Sequence, residues 1–240
     1  MKEWFSLACR MLVAAGKLSM PKILDDFKLV AMNRNEMHEL NVNDPNFVHS
    51  DGWGIVLGKS GRLRFYKKAV ACWKDPKYQE YYTVNADFLF LHARKASPNV
   101  SVNYAFTHPF RKDDWFFCHN GTIKDFVKPN LSDSEVFFKL LLDRIKERND
   151  VPQAIEDTVK RLKEYTALNF ILANNRKAYV LNKFVLNYPK YYTMKYLVEE
   201  DFAIVSSECL GHFEGWNLMG NNVLIELDTL THRINVLQIG

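Results

Sequence analysis

The chain has 240 residues, 48% hydrophobic and 25% charged, enough apolar material for one domain with a substantial core, which excludes intrinsic disorder. Thirty-two Lys and Arg against 28 Asp and Glu leave a net charge of +4, too small a surplus to argue for nucleic acid. Charged residues cut every apolar run well short of the ~18 residues that a bilayer requires, so the composition predicts a soluble protein and no membrane partner.

The first eight residues, MKEWFSLA, combine a charged start with apolar residues as an export signal would. Glu3 offsets Lys2 and Arg10 interrupts the apolar run, so no signal is read and a cytoplasmic location is expected. A strand follows over 9–15, a short helix over about 21–31, and strands over 53–58 and 62–68, all rich in β-branched or aromatic residues where strands are read. Lys59–Lys68 is the densest basic stretch, with Arg62, Arg64, Lys67 and Lys68 around Phe65 and Tyr66. It could track a phosphate backbone, but its polar–apolar alternation favours the face of a half-buried strand. Strands over 87–94 and 114–119 precede two helical patterns. Ser132 and Glu135 read as a reciprocal capping box for a stripe of Val136, Phe137, Leu140, Leu141 and Ile145. Beyond Pro152, Ile155, Val159 and Leu162 form a second stripe, with Glu156, Lys160 and Lys163 toward water. Strands over 167–173, 177–183, 201–206 and 222–227 complete the series. Tyr188–Tyr192 with Tyr196 reads as half-buried strand aromatics in preference to a contact surface. No Gly/Ser/Pro-rich linker divides 9–240, which is read as one mixed α+β domain with helices layered on two sheets.

Cys9, Cys72, Cys118 and Cys209 contain no C-x-x-C pair, and Cys209 with His212 is a lone C-x-x-H, so neither a metal nor a cofactor is expected. Dinucleotide, phosphate-loop, H-E-x-x-H and G-x-S-x-G signatures are absent. What remains is a set of polar islands at strand ends: His49-Ser50-Asp51-Gly52-Trp53-Gly54, His92-Ala93-Arg94-Lys95-Ala96-Ser97, Cys118-His119-Asn120-Gly121-Thr122-Ile123 and Ser132-Asp133-Ser134-Glu135. Each has an ordinary structural explanation. Asn120-Gly121 is a hairpin-turn signal, Asp133 suits a helix start whatever the function, Arg94 ends an apolar strand, and Cys9 is a small hydrophobe.

Taken together and in order, these islands resemble the glutaminase domain of the class II glutamine amidotransferases, a branch of the N-terminal nucleophile hydrolases. HSDGWGI, HARKAS, His108-Pro109-Phe110, HNGTI, SDSEVFF, ALNFILA and VSSE carry the likeness, from Cys9 to about Leu227, and it is strongest toward stand-alone members. The resemblance implies a four-layer α/β/β/α sandwich of two mostly antiparallel sheets flanked by helices. It implies Cys9 as nucleophile, forming a γ-glutamyl thioester, with its own α-amine as base. Asn120 and Gly121 match the oxyanion hole, Arg94 the partner of the substrate α-carboxylate, and Asp133 that of its α-ammonium. Ser97 and His119 are placed beside the substrate, and His49, Asp51, Gly52, Trp53, His108 and Ser207 as pocket-shaping residues. The partners implied are glutamine or a γ-glutamyl small molecule and, for the ammonia, a separate synthase chain.

The likeness departs from the family at the start. An amine base requires Cys9 to be the first residue, yet MKEWFSLA precedes it. Residues 1–8 are expected to be a removed leader. The alternatives are a misassigned start and a retained leader, which would leave a catalytically silent binding protein with Trp4, Phe5 and Leu7 seeking a buried site.

Overall fold

In the computed structural model the described residues are 9–97, 100–128, 131–185 and 187–240. The expectations for residues 1–8 lie outside them.

The strands are β1 (Arg10–Gly16), β2 (Trp53–Lys59), β3 (Arg62–Lys68), β4 (Phe88–Ala93), β5 (Phe110–Lys112), β6 (Trp115–Asn120), β7 (Asn169–Ala173), β8 (Lys177–Asn182), β9 (Lys195–Val198), β10 (Phe202–Ser206), β11 (Asn217–Leu218), β12 (Val223–Asp228) and β13 (Ile234–Gln238). The helices are α1 (Met20–Ala31), α2 (Glu39–Asn43), α3 (Pro76–Glu80), α4 (Asp133–Arg148), α5 (Val151–Val159) and α6 (Pro189–Tyr192). The strands form two sheets, ordered β11-β9-β10-β1-β4-β2-β3 and β13-β12-β8-β7-β6-β5, and every pairing within them is antiparallel.

Strand periodicity distributes the side chains into layers. Met11, Val13 and Ala15 of β1 face Phe116, Cys118, Ile171 and Val180 of the other sheet, making the core between the sheets. The alternate residues Leu12 and Ala14 pack with Ile23, Leu24, Phe27 and Val30 of α1 on the outside. On the opposite face, Phe117, Phe170 and Leu172 meet Phe137, Phe138, Leu141 and Leu142 of α4 and Ile155 and Val159 of α5. The result is the expected α/β/β/α order. Because both faces of the central strands are covered, these strands read as near-continuous apolar runs.

Several expectations are corrected. The buried stripe of α4 is displaced by one residue, since Phe138 and Leu142 are buried where Val136 and Leu140 are half-buried. Ser132 caps α4 by accepting from the Glu135 N–H at 3.3 Å, but the Glu135 carboxylate pairs with Lys139 at 2.8 Å one turn on. The second helix ends at Val159, leaving Leu162 buried just beyond it. Asn120-Gly121 makes no hairpin: Asn120 ends β6 and pairs with Asn169 of β7, which the chain reaches only after α4 and α5. Tyr191 and Tyr192 lie buried in the short helix α6, not in a strand. The basic stretch is a hairpin whose second strand, β3, is a sheet edge with alternating exposed side chains, where charge discourages edge pairing.

Candidate active site

Cys9 sits immediately before β1, at the end of that strand flanked by Ala93 of β4, which pairs with Arg10. Its sheet is thereby brought beside the end of β6 in the other sheet. The Cys9 backbone N–H donates to Asn120 Oδ1 at 2.7 Å, joining residues 111 apart in sequence. With Oδ1 committed to accepting, the amide NH2 is the end of Asn120 left for a donor role.

Gly121 follows with φ +148°, and a Cβ there would lie 2.0 Å from the Ala167 carbonyl oxygen. Glycine is therefore required where β6 leaves the sheet. Gly121→Ala is expected to cost on the order of 2–3 kcal/mol, read as a lower midpoint in chemical denaturation.

A cavity of about 410 Å³ opens here, lined among others by Cys9, Arg94, Ser97, His108, His119, Gly121 and Asp133. Arg94, just past β4, is buried and donates through Nη1 to the Ser101 carbonyl at 3.2 Å. Its strand end is locked by the Arg94 N–H donating to the Gly52 carbonyl and the Asp51 N–H donating to the Arg94 carbonyl. Asp133, first residue of α4, accepts from the Ile123 N–H at 2.9 Å and the Ser134 N–H at 2.7 Å. Those donors fix the carboxylate at the positive end of a helix, on the cavity wall. A guanidinium and a rigid carboxylate in one cavity suit the two charges of an amino acid.

The Cys9 side chain is buried, with its thiol directed to the Lys95 carbonyl at 3.9 Å. Burial pushes Cys9 up to about 11, with Arg94 acting against this and Asp51 and Asp133 adding to it.

The remaining expected residues divide by placement. His119 lines the cavity, but its ring nitrogens are engaged by Ser134 Oγ and the Ala167 carbonyl, each at 3.0 Å, so it supports the Asn120-Gly121 turn. Asp51 accepts from the Ala96 N–H at 2.9 Å and shapes the Arg94–Ser97 loop from behind. His49 contacts Tyr191 Oη at 3.0 Å, which donates to the Cys9 carbonyl at 3.3 Å. Trp53 is buried in the outer layer, donating to Asp75 at 3.0 Å. At Gly52 a Cβ would meet Thr107 Oγ1 at 2.9 Å, and Ser207 clasps β1 through Met11. None of His49, Asp51, Gly52, Trp53 and Ser207 lines the cavity.

His92 and Gly54, named in the polar islands without a role of their own, also have structural weight: His92 is a fully buried polar residue in the apolar strand β4. At Gly54 a Cβ would lie 2.3 Å from the His108 carbonyl oxygen, so this glycine admits the His108 loop against β2.

Residues 41–204 match the family model of class-II glutamine amidotransferases, more than half the chain. The chain belongs to the class II glutamine amidotransferases. Its fold is similar to that of a glutamine aminotransferase class-II domain protein from Silicibacter pomeroyi, at 15% identity and TM-score 0.62, over 97% of this chain and 100% of that one. The glutamine phosphoribosylpyrophosphate amidotransferase from B. subtilis gives TM-score 0.64 at 15% identity, over 97% of this chain but 49% of its own. A predicted glutamine amidotransferase from Pseudomonas aeruginosa gives TM-score 0.54 at 16% identity, over 95% and 98%. No curated protein sequence matches. Among the described residues, no helix is long and apolar enough to cross a membrane.

Proposed function

We propose that the chain, once residues 1–8 are removed, hydrolyses the side-chain amide of glutamine or a related γ-glutamyl amide through a thioester on Cys9. The 2.7 Å contact between the Cys9 nitrogen and Asn120 Oδ1, at the cavity holding Arg94 and Asp133, is the observation that supports this most. An amide nitrogen is no base, whereas a free α-amine, with a reference pKa of about 7.7–8.0, is poised for general-base work near neutrality.

In this reading Arg94 takes the substrate α-carboxylate and Asp133 its α-ammonium, which sets the amide carbon opposite Sγ. The freed Cys9 amine takes the thiol proton as sulfur attacks that carbon. The developing oxyanion accepts from the Asn120 amide and the Gly121 N–H. Collapse breaks the C–N bond, and the amine returns its proton to the departing ammonia or amine. Water activated by the same amine then hydrolyses the thioester, releasing the γ-carboxylate and restoring the thiol. Ammonia passes to a separate synthase chain or to solvent.

The cavity wall continues through Val100, Phe106, Val127 and Leu131, more apolar surface than a departing ammonia needs. That favours γ-glutamyl amides bearing an apolar amine as a second reading of the substrate. Ammonia and amine release across a γ-glutamyl panel decides between them.

Asn120→Ala is expected to lower kcat by on the order of 10²–10³ with KM little changed, measured on chain that begins at Cys9. A change confined to KM would remove Asn120 from the oxyanion site.

A further inference from the structure

His92, within β4, and His108, ahead of β5, are both buried, with ring centroids 4.4 Å apart in a T-shaped contact. None of their four ring nitrogens makes a hydrogen bond of good geometry among the described residues, His92 having only a weak approach to the His119 backbone. Each buried polar group left in that state costs about 1–3 kcal/mol, so the pair requires an explanation. The proposed hydrolysis uses neither ring.

The Cys9 sulfur completes a cluster: Sγ and a nitrogen from each histidine lie within 4.8 Å of one another. Two imidazole nitrogens and a thiolate form the donor set of a borderline-soft cation such as Zn²⁺, bound at about 2.0–2.1 Å to nitrogen and 2.3 Å to sulfur. Binding one ion requires the three atoms to close in from that spread. Arg94 and Lys67 oppose a cation here, while Asp51 and Asp133 favour one.

We propose that Cys9 Sγ, His92 and His108 form a three-ligand site for a thiophilic divalent cation of the Zn²⁺ type, its fourth position open to the cavity. Binding forms the metal–sulfur bond and releases the thiol proton to solvent. A sulfur so held cannot attack an amide carbon, so the cation silences the nucleophile. This regulatory consequence rests on the function proposed above, whereas the binding site does not.

The test titrates chelator-stripped full chain with Co²⁺, follows the d–d and sulfur-to-cobalt charge-transfer bands, and then adds Zn²⁺. One equivalent of Co²⁺ should produce both bands and Zn²⁺ should abolish them. His92→Gln and His108→Gln should each weaken binding at least as much as the 10–100-fold typical of losing an outer-shell partner. In the unaltered chain, Zn²⁺ should also protect Cys9 from iodoacetamide, read by peptide mass, an outcome that does not depend on any variant folding. Absence of the charge-transfer band, unchanged affinity in folded His variants, or unprotected Cys9 at saturating Zn²⁺ would overturn the proposal. Turnover by the Cys9-first chain without metal binding would sink this inference alone. Metal binding by the full chain, with no turnover by the metal-free Cys9-first chain, would sink the amidohydrolase reading alone.

Discussion

Arg10→Ala is expected to destabilise the fold by about 3–5 kcal/mol, a loss of roughly 6–20 °C in Tm for a domain of this size. Arg10 follows the nucleophile directly and is fully buried. Its Nη2 lies 2.6 Å from Glu208 Oε1, Nη1 donates to the Tyr191 carbonyl at 3.1 Å, and the guanidinium sits 3.8 Å from the centre of the Tyr191 ring. Truncation leaves the Glu208 carboxylate, only 1% exposed, with the Asn35 amide and the Glu36 N–H as neutral donors. The cost is chiefly that of an unmatched buried charge, so adding Glu208→Leu to Arg10→Met should recover most of it. Calorimetry on both variants checks this, and a mild single mutant would show that solvent reaches the pair. Because Tyr191 Oη also donates to the Cys9 carbonyl, the same network anchors the nucleophile's own backbone.

Cys9→Ala, in chain beginning at residue 9, is expected to lower turnover by at least about 10⁴-fold while glutamine still binds. The substrate's charged groups are assigned to Arg94 and Asp133, which the substitution leaves untouched, whereas no other nucleophile is assigned to the reaction. Calorimetric titration beside an ammonia assay separates the two effects, and equal loss of binding and turnover would contradict the division of labour.

The strands that were legible in the sequence are those covered on both faces. β1, β4, β7 and β8 are apolar almost throughout, because each lies between a neighbouring sheet and a helix layer or loop. β5, β11 and β13 escaped notice as sheet edges, and of the short strand β9 only Tyr196 was read as a strand residue, because half-solvated residues carry little apolar signal. The one-residue displacement along α4 arose because Val136 and Phe137 fit adjacent stripes equally well until the sheet supplies the contact.

Within the site, Cys9, Asn120, Gly121, Arg94 and Asp133 were legible as ordered motifs; Cys9, Gly121, Arg94 and Asp133 line one cavity, and Asn120 adjoins it through its bond to the Cys9 nitrogen. His49 and Trp53, read as pocket-shaping, lie behind the cavity lining, because their motif continues from the site into the supporting layers. The Cys9–His92–His108 cluster has no local spacing to betray it: its members come from three separate segments and meet only when β1, β4 and the loop before β5 pack together. The expectation of no metal rested on sequence spacing, which carries no information on residues brought together from separate segments.

The most direct measurement compares ammonia release from glutamine, and amine release from γ-glutamyl amides, by two forms of one preparation: full-length chain and chain cut so that Cys9 is first. The account predicts turnover by the cut form and none above background by the intact form, because only the former carries an amine beside the thiol. Equal rates in both forms, or no release from any γ-glutamyl amide by a folded Cys9-first chain, would contradict it.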